Sequence, residues 1–346
     1  MIEVDGSYGE GGGQILRTAV ALSVLMNEEV SVTGVRAKRP NPGLRPQHLT
    51  VIKVLKELSE AETKGLSVGS RSIFFSPKRV VGGRYVSDVG TAGSVTLILQ
   101  AVLLASLKSS KPVSLTVKGG TDVKWSPSWD YFARVFVPLV KRLGVKVEVD
   151  LVRRGFYPAG GGEVKMTVFP GEKLSSFKID EPQRYGLVEG VVAISKLPSH
   201  ISTRVRHSVI RFFLSNSMEA KVSVERDDES LSEGVVVTLW SNSDETVVGG
   251  AMVGERGFPA EKLGERCAMT LFHEMQAGVS LDVNATDQLL PYLAFVASKN
   301  HESSVFLTRE LSSHTRTNMW LLEKFLPVRF EVKDVGGCKR VEVKPA

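Results

Sequence analysis

The sequence of 346 residues is poor in several features that would otherwise assign it to a class. Its two cysteines, Cys267 and Cys338, lie far apart and match neither a CxxC pair nor a Cys/His zinc spacing, so neither a structural zinc nor a disulfide framework is expected. Aromatic residues make up only 7% of the chain, and no long run of one charge sign occurs. The net charge of +6 therefore indicates local basic surface, suited to an anionic partner, rather than a basic tail.

Long apolar runs are also missing. Stretches such as 95–107 are too short and too polar to span a bilayer, and the N-terminus lacks the basic region, apolar core and cleavage site of a signal peptide. We therefore expect neither export nor membrane insertion, and a location in the reducing cytoplasm. The 42% hydrophobic content supports buried cores, and the length allows two domains or one domain with a large insertion.

A glycine-rich run at 7–17, SYGEGGGQILR, is the most informative stretch that is present. It follows a predicted strand over 2–4 and precedes a predicted helix over 14–25, so its glycines let helix amides approach an anion closely. It lacks the Gly-Lys-Ser/Thr of a P-loop and the GxGxxG order of a dinucleotide fold. A tight turn and a phosphate cradle both remain open, although the carboxylate of Glu10 favours a metal-bound polyphosphate over a bare phosphate.

One pattern of strand, helix and hairpin occurs three times, and each copy is preceded by a helix. Val30 and Val113 are 83 residues apart, whereas Val113 and Val305 are 192 apart, so about 109 extra residues separate the second and third copies. We predict an α+β fold of three βαβαββ-like repeats in a pseudo-threefold arrangement, plus a small inserted α/β domain. The expected division is 1–181 for core repeats 1 and 2, 182–279 for the inserted domain, and 280–346 for core repeat 3.

Periodicity predicts the elements of the inserted domain and of the second repeat. In the inserted domain they are strands over 188–194, 221–225 and 234–240, and helices over 202–215 and 259–276. In the second repeat, one continuous helix is predicted over 129–143.

Two of the six histidines lie at joints between a repeat's strand and its helix. His314 is in a polar turn of the third repeat, where ligand-facing groups commonly lie. His48 occupies the corresponding joint of the first repeat, so both face a shared centre if the repeats pack around an axis. From position alone, a capping or surface role for a loop histidine remains open.

Four cations cluster in the loop 36–45: Arg36, Lys38, Arg39 and Arg45. Two prolines and a glycine stiffen this loop, which favours phosphate recognition. The alternative is a surface connection with incidental charge.

Three further places carry polar or flat groups in unusual surroundings. Gln100 interrupts an apolar helix, and its amide needs a partner such as a base edge, a polyphosphate or a backbone group. Asp287 and Gln288 open a predicted helix over 289–295, either as a first-turn carboxylate that favours the helix dipole or as nucleotide ligands. The segment WSPSW at 125–129 offers flat apolar surfaces that either stack a base or pack inside the protein.

Taken in order, the motifs form a recognisable set: DGxxGEGGGQILR at 5–17, RxxRxxPGLxxQH at 36–48, GGTD at 119–122, DQ at 287–288 and HxxTN at 314–318. This set resembles the motifs of the RNA 3′-terminal phosphate cyclases. The resemblance covers essentially the whole chain, including the repeats and the inserted domain, and the joint specificity of the motifs is high.

The resemblance implies ligase-class nucleotidyl transfer in three steps. A histidine attacks the α-phosphorus of ATP, AMP passes to the 3′-phosphate of an RNA, and the 2′-hydroxyl displaces AMP to leave a 2′,3′-cyclic phosphate. His314 matches the nucleophile, and Glu10 matches the contact to the triphosphate and to Mg²⁺ or Mn²⁺. The other implied ATP-site residues are Gln14, Gln100, Pro127, Asp287 and Gln288. The candidates for RNA phosphates are Arg17, Arg36, Arg39, Arg45, Gln47 and His48.

The chain departs from the family pattern at Asn284, where the family often has an aromatic residue that packs on adenine, so Tyr292 or Trp125 is the candidate to compensate. Three alternatives to a cyclase remain: a non-catalytic relative that serves ribosome assembly, an enzyme similar to enolpyruvyl transferases, and a simple RNA-binding module. His314, Glu10 and the intact glycine run argue against the first. Monomer and homo-oligomer both remain open.

Overall fold

The computed structural model describes residues 1–171 and 173–346, and its N-terminal part is a four-stranded sheet with two helices. The elements are β1 (Ile2–Asp5), α1 (Gly13–Met26), β2 (Val30–Thr33), α2 (Pro46–Ser59), β3 (Glu62–Lys64) and β4 (Ile73–Ser76). The strand order is β1-β2-β4-β3, in which β1 and β2 are parallel and the other neighbours are antiparallel. Pro46 begins α2, where its fixed φ suits the first helical position.

The next part of the chain repeats this sheet. Its elements are β5 (Gly83–Asp88), α3 (Val95–Ala105), β6 (Val113–Gly119), α4 (Trp129–Tyr131), α5 (Val137–Arg142), β7 (Lys146–Arg153) and β8 (Gly162–Phe169). The order β5-β6-β8-β7 has the same one parallel and two antiparallel pairings.

The helix predicted over 129–143 is not continuous. A π-helical segment, Phe132–Phe136, separates α4 from α5. Pro138 lies in the first turn of α5 and has no backbone N–H, so the regular bond to the carbonyl four residues earlier cannot form. The local irregularity therefore follows from the proline, and the prediction of one regular α-helix is wrong here.

The inserted segment follows a two-residue strand, β9 (Lys178–Ile179). Its elements are β10 (Val188–Ser195), α6 (Ser199–Ser215), β11 (Ala220–Arg226), β12 (Gly234–Asn242), β13 (Val247–Val253) and α7 (Ala260–Gln276). The sheet order is β11-β10-β12-β13, and α6 and α7 pack over a hydrophobic cluster of their own. We use the name inserted domain for residues 182–279, the range given in the sequence analysis.

The last part of the chain forms the third sheet of the repeated type. Its elements are α8 (Val283–Asn300), β14 (Ser304–Thr308), α9 (Ser313–Phe325), β15 (Val328–Val335) and β16 (Cys338–Pro345). The order β15-β16-β14-β9 includes β9, which lies before the inserted domain and pairs in parallel with β14. Three units thus share one βαβαββ order, and the predicted α+β fold class is confirmed.

A hydrophobic cluster of buried residues extends through all three units. Helix α3 is buried along almost its whole length, and only Leu97 and Gln100 are half-buried. These two side chains line the cavity described below, so the half-buried positions of α3 mark the site. None of the described helices combines the length and the apolar character needed to cross a lipid bilayer.

Candidate active site

A cavity of about 400 Å³ lies where the three repeated units meet. Helices α1, α3, α8 and α9 line it, together with the segment 125–131 and strand β13 of the inserted domain. Its lining side chains include Gln14, Arg17, Gln100, Trp125, Pro127, Tyr131, Ala251, Asn284, Asp287, Gln288, Tyr292, His314 and Asn318. The volume is within the range of small-molecule sites.

The glycine run packs tightly against groups from distant parts of the chain. Gly9 has φ +55°, and a Cβ atom there would clash with the hydroxyl of Thr317. A Cβ atom on Gly12 would lie 2.9 Å from Nη2 of Arg39. Gly12 is also the N-cap of α1 and provides no side-chain cap. The run is therefore a close-packed turn, one of the two readings that the sequence left open, and it leads into a helix start that has no side-chain cap.

Glu10 and His314 are neighbours, although they are 304 positions apart in the sequence. Nε2 of His314 lies 3.4 Å from Oε2 of Glu10, and Nη2 of Arg39 lies 3.3 Å from the same oxygen. The hydroxyl of Ser313 donates to the other oxygen of Glu10. The carboxylate of Glu10 thus joins the glycine run, the basic loop and the start of α9.

His314 lies in the first turn of α9 rather than in a free loop. Ser312 caps this helix by accepting from the backbone N–H of Thr315 at 2.9 Å. Burial lowers the pKa of His314 below its ordinary value, and the charges of Arg17 and Arg39 add to this, whereas Glu10 opposes it. At neutral pH the imidazole is consequently uncharged and keeps one nitrogen lone pair.

Arg17 and Asp287 both line the cavity and influence each other's ionisation. Burial raises the pKa of Asp287 to about 8, helped by Asp282 and Glu10 and opposed by Arg17. Burial lowers the pKa of Arg17 to about 10, opposed by Asp287. Asp287 is therefore able to hold or release a proton near neutral pH. It lies inside α8, which starts at Val283, so the alternative that Asp287 is a first-turn carboxylate is wrong.

Two buried polar atoms at the cavity have no hydrogen-bond partner within the described part of the chain: Oε1 of Gln14 and Oδ1 of Asn318. The amide of Asn318 donates to the carbonyl of Asp287 at 2.8 Å, and that of Gln14 to the carbonyl of His314 at 3.5 Å. Orphaned buried acceptors are costly, so both atoms indicate a ligand or bound water. Asn318 is part of the HxxTN motif but was not among the predicted site residues.

Gln100 and Gln288 meet across α3 and α8. Nε2 of Gln100 donates to Oε1 of Gln288 at 2.6 Å, and the hydroxyl of Tyr292 donates to the carbonyl of Gln100 at 3.2 Å. The partner of the Gln100 amide is thus a side chain of a distant helix rather than the neighbouring backbone group considered from the sequence.

Flat side chains lie near the cavity mouth. Trp125 is 95% exposed and has φ +61°, and Pro127 follows it with its carbonyl accepting from the hydroxyl of Thr96 at 2.9 Å. Asn284 is exposed, while Tyr292 is 2% exposed and packs edge-on against Phe136. Of the two aromatic residues considered as substitutes at Asn284, Trp125 is the exposed one, and Nζ of Lys124 lies 5.8 Å from the centre of its ring.

The cations of the loop 36–45 have two kinds of partner, the glycine run and the loop's own backbone. Arg39 reaches Glu10, and Nζ of Lys38 donates to the carbonyl of Gly9 at 2.8 Å, so these two contact the glycine run. Arg36 instead donates to carbonyls of its own loop, to Asn41 at 2.5 Å and Gly43 at 3.1 Å. These two bonds fold the loop 36–45 around the guanidinium of Arg36.

Gln47 and His48 have structural partners. Oε1 of Gln47 accepts from the backbone N–H of Ser94 at 3.1 Å, at the start of α3. His48 is buried, and its Nδ1 accepts from the N–H of Arg45 at 3.3 Å. Burial lowers the pKa of His48 to about 3, with Arg17, Arg36 and Arg45 adding to the effect. The two histidines at corresponding joints thus differ: His48 is packed away, and His314 faces the cavity.

No group of three or more His, Cys, Asp or Glu side chains is arranged to hold a metal ion among residues 1–171 and 173–346. Glu10 lies beside His314, and Asp287 lines the cavity with its pKa raised to about 8, so its carboxyl group is largely protonated at neutral pH. Because Mg²⁺ is often held by a single carboxylate together with substrate phosphates and water, Glu10 is the residue that fits such a cation.

These elements define an α+β protein with a composite polar cavity between three like units, one of which supplies an uncharged histidine beside a carboxylate. The family model described as RNA 3′-terminal phosphate cyclase matches residues 8–332. The chain belongs to this family.

Full-length relatives support the assignment. The RNA 3′-terminal phosphate cyclase of Nitrosospira multiformis is 44% identical, over 100% of this chain and 97% of its own. The proteins of the same name from Methanosarcina mazei and Pyrococcus abyssi are 40% and 39% identical, over 99% of this chain and 100% and 98% of theirs. The family expected from the motifs is thereby confirmed, as is the enzyme class.

Proposed function

We propose that this chain uses ATP to convert an RNA 3′-terminal phosphate into a 2′,3′-cyclic phosphate, with His314 as the nucleophile. The observation that carries the proposal is the placement of Nε2 of His314 3.4 Å from Glu10 at a cavity lined by all three units. Because burial lowers the pKa of His314, its lone pair is available at neutral pH.

In the first step, a nitrogen of His314 attacks the α-phosphorus of ATP, and the bond between that phosphorus and the bridging oxygen breaks to release pyrophosphate. The imidazole gains positive charge as the P–N bond forms, and the carboxylate of Glu10 stabilises that charge. A divalent cation, Mg²⁺ or Mn²⁺, would be held by Glu10 together with triphosphate oxygens and would neutralise the leaving group.

In the second step, an oxygen of the RNA 3′-phosphate attacks the phosphorus of the histidine-bound AMP, and the P–N bond breaks. The RNA then ends in a diphosphate linked to adenosine. In the third step, the 2′-hydroxyl attacks the 3′-phosphorus, its proton is lost to a base, and AMP leaves to give the cyclic phosphate. Asp287 is placed to hold or transfer a proton near neutral pH because its pKa is raised to about 8.

Adenine is proposed to lie between α3 and α8. The bonded pair of Gln100 and Gln288 presents an amide oxygen and an amide N–H, which complement the donor and acceptor on the edge of adenine. Pro127 and the exposed ring of Trp125 would cover one face of the base. The orphaned acceptor of Gln14 would take a hydrogen bond from the ribose or from bound water.

The RNA phosphates are proposed to approach Arg17 and Arg39, the two predicted arginines that lie closest to the Glu10–His314 pair. Arg45 would contribute from the start of α2. Arg36, Gln47 and His48, which we also predicted as RNA contacts, are proposed to act by shaping the loop, because their polar groups have partners within the protein.

The test is incubation of the purified protein with ATP labelled at the α-phosphate and Mg²⁺ or Mn²⁺. We expect an acid-labile, alkali-resistant protein–AMP adduct that is absent in His314→Ala and present in His207→Ala, a control at an exposed helix position. A label that persists in His314→Ala would overturn the assignment of the nucleophile.

The RNA step has a separate test. An RNA that ends in a 3′-phosphate should be cyclised, whereas the same RNA with a terminal 2′-deoxy sugar should stop at the adenylylated end, since the last nucleophile is missing. Conversion of the deoxy substrate to a cyclic product would contradict the mechanism. Binding of RNA without any turnover of ATP would instead indicate a non-catalytic RNA-binding protein.

A further inference from the structure

The carboxylate of Asp282 joins three parts of the structure. The residue is 1% exposed and caps α8, because Oδ1 accepts from the backbone N–H groups of Asn284 at 3.0 Å and Ala285 at 2.8 Å. Oδ1 also accepts from the hydroxyl of Tyr131 at 2.6 Å. Oδ2 accepts from the backbone N–H of Gly249, in β13 of the inserted domain, at 2.9 Å. All four partners are donors, so these bonds favour the ionised carboxylate, whereas burial raises the pKa of Asp282 and opposes them.

A second buried contact connects the inserted domain to the second unit, next to Pro127 of the cavity lining. The hydroxyls of Ser128 and Thr238 lie 2.8 Å apart, and both residues are buried. Ser128 directly follows Pro127 and caps α4 by accepting from the N–H of Tyr131 at 3.2 Å. Thr238 is on β12, which pairs with β13.

The two contacts lie behind two different cavity walls. One wall contains Pro127 and Tyr131 from the second unit, and the other is the start of α8 from the third unit, with Asn284, Asp287 and Gln288. Each wall is hydrogen-bonded to one of two adjacent strands of the inserted domain. Ala251 of β13 also lines the cavity itself.

We propose that the inserted domain, together with the direct bond between Tyr131 and Asp282, holds these two walls at a fixed spacing, with Asp282 and Thr238 as positioning residues for nucleotide binding. The inference rests on the proposed use of the cavity by ATP. The affinity for the nucleotide would then depend on the inserted domain, which supplies none of the proposed catalytic groups. A change of about 1 Å in the spacing of binding groups is enough to weaken a preorganised site strongly.

The test compares three substitutions in the full-length protein. Thr238→Val removes the hydroxyl that meets Ser128 and keeps the side-chain shape. Asp282→Ser keeps an N-cap for α8 but loses the reach to Tyr131 and Gly249. Ser208→Ala is the matched control, because its buried hydroxyl donates only to the carbonyl of Val205, within α6.

Binding of AMP is measured by titration calorimetry, and adenylylation with labelled ATP is measured in single turnovers. We expect Thr238→Val and Asp282→Ser to weaken AMP binding about fivefold to tenfold and to raise the ATP concentration for half-maximal adenylylation by the same factor. The rate constant at saturating ATP should change less than about twofold, because His314 and Glu10 are untouched. Ser208→Ala should match the wild type in both measurements.

Other outcomes would contradict either the role of the inserted domain or the proposed function. Wild-type affinity in Thr238→Val, or an equal loss in Ser208→Ala, would overturn the proposed role of the inserted domain while leaving the proposed function standing. The outcome rests on Thr238→Val, because Asp282→Ser also breaks the bond to Tyr131 in the second unit. A wild-type protein that neither binds AMP nor becomes adenylylated would overturn the proposed function as well. If Asp282→Ser does not fold, as judged by circular dichroism, Thr238→Val decides alone, since it removes a single hydroxyl.

Discussion

Gly13 and the imidazole of His48 are in direct contact. A Cβ atom on Gly13 would clash with Nε2 of His48 and would lie 2.9 Å from its Cδ2 atom and 3.1 Å from Nη1 of Arg17. The ring has no room to retreat, because His48 is buried and its Nδ1 accepts from the backbone of Arg45. The glycine at the start of α1 therefore lets α2 approach the glycine run closely.

Replacement of this glycine should be costly. We expect Gly13→Ala to lower the free energy of unfolding by about 1–3 kcal/mol, the usual range for overpacking a buried site. Displacement of Arg17 should also slow adenylylation. Urea unfolding and labelled ATP measure the two effects. Gly186→Ala is the control, since no atom lies within 4 Å of a Cβ atom placed there. Equal losses in both variants would contradict the close-packing explanation.

The pH dependence of adenylylation should report the protonation of His314. Burial lowers the pKa of this imidazole below 6.5, with Arg17 and Arg39 adding to the effect and Glu10 opposing it. Because the unprotonated ring attacks, the rate constant in single turnovers should be constant near neutral pH and should fall only below about pH 6.5.

The neighbouring charges should move this acid limb in opposite directions. Arg39→Gln removes a cation that disfavours protonation, so the limb should shift to higher pH. Glu10→Gln removes an anion that favours protonation, so the limb should shift to lower pH, whatever happens to the maximal rate. Shifts of the same sign in the two variants would mean that the titrating group is not His314.

Glu274 should make stability depend on pH. This side chain is 2% exposed, and burial with the charge of Asp282 raises its pKa from 4.5 to about 7, against the opposing charge of Arg309. The folded state thus holds the proton more tightly than the unfolded chain. Its stabilising effect is complete below about pH 4.5 and is lost as the pH rises through about 7.

The variant Glu274→Gln removes this titration. Between about pH 4.5 and 7, the free energy of unfolding of the wild type should fall by about 3 kcal/mol relative to the variant. Urea unfolding of both proteins across that interval measures the difference. A difference that does not change with pH would show that Glu274 titrates normally in the folded protein.

Much of the fold follows from local pattern and spacing. The order of strand, glycine run and helix at the N-terminus, and the threefold recurrence with one longer interval, are properties of the sequence itself. Strand β13 was missed because Gly249 and Gly250 interrupt its apolar run. The structure requires a small residue there, since a Cβ atom on Gly249 would lie 2.5 Å from Cγ2 of Val135 in the second unit.

The candidate site can be predicted from the sequence only in part, because its contacts join residues of different units. The motifs indicate that Glu10 and His314 share a site, but no local pattern indicates that Gln100 bonds to Gln288 in another unit. The sequence does indicate where α8 starts, because Asp282, at the N-cap position, is a residue type that commonly precedes a helix. Arg36, which bonds to carbonyls of its own loop, has a left-handed backbone, φ +53°, which the loop composition does not predict.

Replacement of Asn284 by an aromatic residue should strengthen the binding of AMP. The side chain of Asn284 is exposed and lines the cavity together with Gln288, at the position where the family resemblance leads us to expect an aromatic residue. A tyrosine ring there would cover the face of adenine opposite Pro127 and Trp125, and an aromatic stacking pair stabilises by about 0.5–1.5 kcal/mol. We therefore expect Asn284→Tyr to bind AMP about threefold to tenfold more tightly in titration calorimetry.

The specificity of that gain is tested with a matched pair of substitutions. Asn284→Leu adds apolar volume without a flat ring, so it should bind AMP more weakly than Asn284→Tyr. In the background of Trp125→Ala the tyrosine should retain most of its effect, because the two rings are expected on opposite faces of the base. If Asn284→Tyr leaves AMP affinity unchanged in both backgrounds, adenine does not lie between α3 and α8 in the proposed orientation, and the contacts assigned to Gln100 and Gln288 would have to be reassigned.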